Sequence, residues 1–407
     1  MQIRRLILPV IFVAFLTRVF VAAYPGKNLA TPWSSGSDMP AYVALARSLV
    51  GGTGFSYYGM ASAIRPPLYP LFLAVNVLLF GTLFPVAVRV VQFGIGIVAV
   101  LISWGTARRI WGAEKALLAL GAAAVFPTRI FFTGELLTEC FAILIVSIFL
   151  LCIVDMDVVA VRKTIPIGIA VGVGTLVRFN LAALGLAFFL ILLFRVGIRR
   201  SMWPTVLVVL ISIAIISPWL VRNAVRFHGR VLLSSQTGYN LVEGVLTPDG
   251  RTQPGESQRL EKSEGWVPQQ IEVNSPARLG FPDEGSLNRR AMSHVRALWW
   301  QERSEVLHLA AEKLGYFWLS TDQAFDTQSL PWRERLIRAC SVGFYWLLLF
   351  FAILGWFKLK KPQPRIALAL LIYAVTVTVF HFPFVMNTRL ATPFLAPLVC
   401  ILCPGVL

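Results

Sequence analysis

The sequence predicts an all-α polytopic membrane protein with about ten transmembrane helices, interfacial helices on the outer face and one mixed outer loop domain. Three observations carry this. Of 407 residues, 57% are hydrophobic and 14% charged, with a mean hydropathy of +0.71; ordinary soluble domains carry roughly 25% charged residues. Apolar runs recur near 6–23, 68–80, 86–107, 115–131, 136–154, 164–178, 180–194, 203–221, 338–357, 366–381 and 390–407, most of about membrane length. Lysine and arginine gather in the short segments between alternate runs, as orientation in a membrane requires.

The first run, in "MQIRRLILPVIFVAFLTRVFVAAYPG", resembles a secretory signal with a cleavable "VAA". Arg18 interrupts its apolar region and many later spans follow, so it reads as a retained first span. The run 68–80 is the exception in length: as a helix it reaches only ~20 Å, short of a ~30 Å hydrocarbon core. Charge decides its placement. If it does not span, the inside segments are 1–5, 108–115, 155–163, 195–200 and 358–365, which hold fourteen lysines and arginines against the acids Glu114, Asp155 and Asp157. If it spans, all but the first of these clusters move outside, against the positive-inside rule. The run is therefore expected as an interfacial or half-buried outer helix. Ten spans remain, with both termini inside.

The outer face then receives 24–85, the tight turns near 132–136, 178–180 and 382–389, and a long loop over roughly 222–337. That loop is polar and rich in Gly, Pro and Ser up to about 285, then helical in pattern from Ser286 to about Tyr316. A formal net charge of +17 would suggest nucleic acid in a soluble protein. Here much of it serves orientation, and no RNA- or DNA-binding motif is present. Cys140, Cys152, Cys340, Cys400 and Cys403 all lie in or beside apolar runs. A disulfide framework is not expected, and the CxxC at Cys400 and Cys403 reads as lipid-buried.

Everything chemically suggestive lands on the outer side. Asp38 opens "SDMPAYVALARSLVGG", and Glu135 and Glu139 sit in "TGELLTECF" at the outer start of a span. A carboxylate at a membrane edge is costly and needs a reason. For Asp38 one reason is a helix N-cap, followed by Pro40 and ended by glycines. Arg18, Arg65, Arg89, Arg129, Arg178, Arg222 and Arg389 lie at or beside outer ends of spans, where the orientation rule disfavours them. Arginine's planar fork suits phosphate oxygens; snorkelling, or pairing with the glutamates, is the structural alternative.

In order along the chain stand "SDMPAYVALARSLVGGTGF", "IRPPLYPLFLAVNVLLFG" with Arg89, "ARRIWG", "TGELLTE", "GTLVRFN", "SPWLVRNAVRFHGRVLLSSQTGYNLVEG" and "MNTRLATPFLAPL". Together they resemble the membrane glycosyltransferases of the GT-C superfamily, in the branch of protein mannosyltransferases and aminoarabinose transferases that use polyprenyl-phosphate sugars. The resemblance implies a catalytic Asp38, a second acid at Glu139 or Glu135, and an outer-face helix at PPLYP. It departs from relatives in one place: their paired acidic "DE" is Ser37–Asp38 here, which leaves only Asp38 for that role. The WWDYG motif of oligosaccharyltransferases is missing, which argues against transfer of a whole preassembled glycan to asparagine.

The expectation is thus an extracytoplasmic-face transferase in the plasma (inner) membrane, with a polyprenyl-phosphate sugar as donor and a glycan, lipid or protein as acceptor. Asp38 is its general base and Glu139 the second carboxylate. Arg65, Arg89, Arg178, Arg222 and Arg389 are candidates for the donor phosphate, and Tyr42, Tyr69, Glu135 and Asn240 for the acceptor side or its loop. Asp38 and Glu139 could share a divalent metal, although no His/Cys cluster demands one: His228, His294, His308 and His381 are scattered. The expected organisation is a catalytic module over 1–221, an outer loop domain over 222–337 and C-terminal spans over 338–407. A transporter or flippase, or a ligase for lipid-linked saccharides, is the other reading; intramembrane charge fits it, but repeat symmetry between halves is not evident.

Overall fold

The computed structural model of the chain describes residues 2–22, 38–156, 161–246, 283–301, 303–319, 332–384 and 386–407. The remaining parts of the expected outer loops, at 24–37, 247–282 and 320–331, lie outside the described residues. The elements are α1 (Gln2–Ala22), α2 (Met39–Val50), a hairpin of β1 (Ser56–Tyr57) and β2 (Met60–Ala61), α3 (Leu68–Phe80), α4 (Phe84–Trp111), α5 (Ala116–Val125), α6 (Pro127–Gly134), α7 (Glu139–Val154) and α8 (Val161–Val177). They continue with α9 (Ala183–Val196), α10 (Ile198–Arg226), α11 (Thr237–Leu246), α12 (Glu284–Gln301), α13 (Arg303–Leu319), α14 (Trp332–Leu359), α15 (Pro364–His381) and α16 (Thr388–Leu402).

Each of the ten expected spans is helical, but the count of ten goes beyond what helix length supports. Among the described residues six helical runs are long and apolar enough to cross a membrane, and a seventh if α5 and α6 count as one. Those two are bent by 45°. The cause is local: Pro127 has no N–H to give and pushes the preceding Phe126 out of the helical region, to φ −64, ψ 114. The apolar stretches Leu6–Val19 and Glu139–Val154 are shorter. Leu68–Trp111 is one apolar run of 44 residues, roughly 66 Å of helix and more than twice the hydrocarbon thickness. It is interrupted by a 3₁₀ turn at Gly81–Leu83, where Gly81 adopts φ 53 and ψ −122, a conformation that favours glycine.

The helices close around α16, which is buried almost throughout. Close packing uses small residues, as helix pairs in lipid do. Gly168 and Gly172 of α8 face Ile211, Ile215 and Ser212 of α10, where an added Cβ would meet side-chain carbons at 2.9 and 3.0 Å. Ser212 Oγ donates to the Gly168 carbonyl at 3.1 Å. α2, α3 and the start of α4 share a second apolar cluster with Phe132, Leu136 and Leu137. The helical pattern expected after Ser286 is present as α12 and α13. Lys313 of α13 is buried, and its Nζ donates to the carbonyls of Gly244 and Phe382, tying this layer to the segment before α16.

The orientation derived from charge can be checked with single cysteines at Thr82 and Lys361, both exposed. Cys340 must first be replaced by Ser, since it is exposed. Thr82→Cys is expected to react with an impermeant maleimide from the outer face, and Lys361→Cys only after permeabilisation. Labelling of both from one side would overturn the arrangement.

Candidate active site

The charges that the sequence scatters over 351 positions meet at one point. Asp38 stands at the start of α2 with φ −67 and ψ −3, yet its side chain caps nothing. Its carboxylate is turned to two arginines instead. Oδ1 accepts from Arg65 Nη2 at 2.6 Å, and Oδ2 from Arg389 Nη2 at 2.6 Å. Arg389 reaches further, donating through Nε to Glu139 Oε1 at 2.5 Å. Arg178 Nη1 lies 3.0 Å from the same oxygen. Glu139 is fully buried and Asp38 is 21% exposed. Glu139 Oε2 makes no hydrogen bond with the described residues.

Each group is held in place by its local sequence. Asn387 caps α16, its side chain accepting from Leu390 N at 3.0 Å, and so fixes Arg389 in the first turn. Glu139 opens α7, where a helix N-terminus favours an anion. Arg178 is in extended conformation between α8 and the short 3₁₀ turn Phe179–Ala182. That turn is pinned by Asn180, which donates Nδ2–H to His381 Nε2 at 2.9 Å while His381 Nδ1–H donates to the Val377 carbonyl. Arg65 donates to Gln236 through Nη1 and lies over the ring of Tyr42, 5.5 Å from its centre.

Electrostatics follow from this geometry. Burial alone would raise the pKa of Asp38; the Arg389 and Arg65 guanidiniums outweigh it and hold the carboxyl well below the usual carboxylate range. Asp38 is therefore ionised at every working pH in this arrangement. The two carboxylates are bridged by Arg389. Among the described residues no group of three His, Cys, Asp or Glu is placed to hold a metal.

The other candidates separate. Arg89 donates to the backbone carbonyls of Gly134 and Pro85 and interacts with Glu135, so it braces the turn that leads into Glu139. Gln92 braces the same turn from Thr133 and Glu135 carbonyls, and receives the Tyr69 hydroxyl at 2.8 Å. Tyr42 and Tyr69 are buried and pack edge to face, 5.1 Å apart. Arg222 donates to the carbonyls of Ser62 and Phe55 among three aromatic rings. Asn240 lies half-buried on α11, one turn after Gln236, to whose carbonyl its N–H donates. Arg18 and Arg129 are each 1% exposed inside the bundle, bonded to Ala14 and Ala124 carbonyls and to Ser103 and Cys400 respectively.

Glu284 was not foreseen. It is buried and accepts from Ser62 Oγ at 2.6 Å, Ala63 N at 2.7 Å and Ser235 Oγ at 2.7 Å. It thereby joins the segment carrying Arg65 to the segment carrying Gln236. Glu284→Ala is expected to loosen both, at roughly 1–3 kcal/mol for each donor that finds no substitute. Glu284→Gln should retain part of the stability. Thermal unfolding in detergent measures it, and equal melting of Glu284→Ala and the parent would refute the clamp.

Residues 64–221 match the family described as dolichyl-phosphate-mannose-protein mannosyltransferase. No curated protein sequence matches the chain. Among solved structures the chain is similar to the Archaeoglobus fulgidus oligosaccharyltransferase AglB in complex with an inhibitory peptide and a dolichol-phosphate, with a TM-score of 0.56 and 13% identity over 98% of this chain and 50% of that one. It is similar to the apo form of the same oligosaccharyltransferase, with a TM-score of 0.53 and 14% identity over 98% and 50%. ArnT from Cupriavidus metallidurans, bound to undecaprenyl phosphate, matches with a TM-score of 0.44 and 17% identity over 97% and 78%. The chain thus spans about half the length of the archaeal enzyme. The family match thus covers residues 64–221, and the fold of the chain as a whole is similar to that of the archaeal oligosaccharyltransferase.

Proposed function

We propose that the chain is an integral membrane glycosyltransferase that moves a sugar from a polyprenyl-phosphate donor to an acceptor on the extracytoplasmic face of the plasma (inner) membrane. The observation that carries this reading is the convergence of Asp38 and Glu139 on one arginine, Arg389, with Arg65 and Arg178 on either side. In the reaction the bond between the sugar's anomeric carbon and the phosphate oxygen breaks. The acceptor oxygen bonds to that carbon, its proton passes to the Asp38 carboxylate, and the charge left on the phosphate is taken up by the arginines. Glu139 holds Arg178 and Arg389 in register for that charge.

The ion pairs couple donor binding to base strength. With both arginines on it, Asp38 is a weak base. A donor phosphate competes for Arg389 and Arg65, and each hydrogen bond it draws away frees Asp38 to accept a proton. The likeness to proteins bound to dolichol phosphate supports the donor class by fold alone. The expected organisation, a catalytic module over 1–221, an outer layer over 222–337 and closing helices over 338–407, fits this scheme, with α12 and α13 on the acceptor side. Asp38 and Glu139 would be the residues to hold a divalent metal, and no step above is routed through one.

The direct test is lipid analysis of a strain lacking the protein. Accumulation of a polyprenyl-phosphate sugar, with loss of that sugar from an envelope glycan, lipid or protein, is expected. Transfer of intact lipid-linked saccharide across vesicles, with no glycosidic bond made, would establish the flippase reading instead.

A further inference from the structure

The far end of α2 borders a second cleft. A cleft of about 730 Å³ opens between the last turns of α2, the β1–β2 hairpin and the end of α10, within the volume range of small-molecule pockets. Arg47, Arg222 and Arg226 line it with Tyr57 and Tyr58, and no acid does among the described residues. Arg47 and Arg226 are exposed, and neither is paired with an acid among the described residues. Arg222, held by the Ser62 and Phe55 carbonyls, forms a fixed positive wall close to Arg226.

The cleft is built, not loose. Ser48 Oγ at the end of α2 bonds Thr53 Oγ1 at 2.8 Å, the Gly54 carbonyl at 2.7 Å and Ser56 Oγ at 2.5 Å, fastening the hairpin to the helix. Tyr58 sits at the hairpin tip with φ 51, ahead of Gly59 at φ 75. Two successive left-handed residues suit a tight hairpin turn, where asparagine and glycine are the usual occupants. A tyrosine in that conformation carries strain and remains 50% exposed. The chain thus displays an aromatic ring at the mouth of a cationic cleft. Arg47 lies nine positions after Asp38, roughly 14 Å along the helix axis.

We propose that this cleft binds an anionic saccharide, one bearing a carboxylate or a phosphate, as the far part of the acceptor. Guanidinium forks take the anion, and the tyrosine faces take the apolar face of the sugar ring. α2 then spans the acceptor, with the reacting hydroxyl at Asp38 and the charged unit at Arg47 and Arg226. The word acceptor rests on the transferase reading; the site does not.

The test uses the purified full-length protein in detergent, titrated by calorimetry with glucuronic acid, glucose 6-phosphate, glucose and inorganic phosphate. Both charged sugars are expected to bind, and glucose and phosphate roughly tenfold more weakly, since each lacks one half of the recognition. Arg47→Ala and Arg226→Ala should each cost the charged sugars roughly tenfold, and Tyr58→Ala should remove the preference over inorganic phosphate. All three residues are exposed, so folding is preserved, and Arg47→Gln controls for volume. Asp38→Asn should bind the charged sugars as the parent does. A failed transferase reading would then appear as intact binding without transfer. Unchanged sugar binding in the arginine variants would overturn the site. So would phosphate binding as tightly as glucose 6-phosphate, or variants that lose only their retention on phosphatidylglycerol nanodiscs.

Discussion

Asp38→Asn is expected to lower sugar transfer by about 10²–10⁴-fold, the usual contribution of a general base, in a protein that folds normally. Asparagine keeps the size of the side chain and serves as well at a helix start. In this fold the start of α2 asks nothing of that side chain, since Asp38 makes no capping bond. A loss of activity therefore reports on the carboxylate's charge and basicity. The same geometry sets the pH dependence. Arg389 and Arg65 keep Asp38 ionised below the usual carboxylate range, so the acid limb of kcat/KM in the parent should lie below about pH 4. The stabilisation from these pairs is fully present above that pH and is lost as pH falls through the lowered folded value. Arg65→Ala removes one of the two cations and should move the acid limb upward. A parent enzyme that loses activity with a midpoint well above pH 4, unmoved in Arg65→Ala, would remove Asp38 from the base role.

How much of this the sequence discloses depends on what each charge answers to. Asp38, Glu139, Arg178 and Arg389 stand out because a charge beside an apolar run has few cheap explanations, and these four do converge. Arg89 and Arg222 stand out for the same reason, yet they serve backbone carbonyls at Gly134 and at Ser62; nothing in spacing distinguishes an arginine facing a carbonyl from one facing a phosphate. Arg18 and Arg129 stand by sequence at outer ends of spans, yet both are enclosed by the bundle and bonded to groups inside it. Glu284 was invisible for the opposite reason: it lies in a polar stretch where acids are ordinary, and only the fold brings Ser62, Ala63 and Ser235 to it. The helices follow from hydropathy, whereas the number of crossings does not, since several are short or bent.

Arg389→Ala should have the broadest effect of any single substitution in this site. Among the described residues Arg389 is the one side chain that hydrogen-bonds both carboxylates, at 2.6 Å to Asp38 and 2.5 Å to Glu139. Its loss leaves Glu139, with no solvent exposure, facing Arg178 as the one remaining cation among the described residues. Orphaning a buried charge costs roughly 3–5 kcal/mol; the remaining contact with Arg178 places the expected destabilisation below that range. Transfer should fall as well, since the phosphate loses a charge-assisted donor and Asp38 loses its register against Glu139. Arg389→Lys keeps the charge, but an ammonium cannot present two parallel faces to two carboxylates, so it should resemble Ala in activity and the parent more nearly in stability. The decisive comparison is the double variant. Glu139→Gln removes the buried charge that Arg389→Ala orphans, so the pair should melt above Arg389→Ala alone while remaining inactive, a non-additive cycle of the kind contacting residues show. Additive destabilisation in that cycle would mean that Arg389 and Glu139 do not interact in the folded protein, and the bridge between the two carboxylates would fall with it.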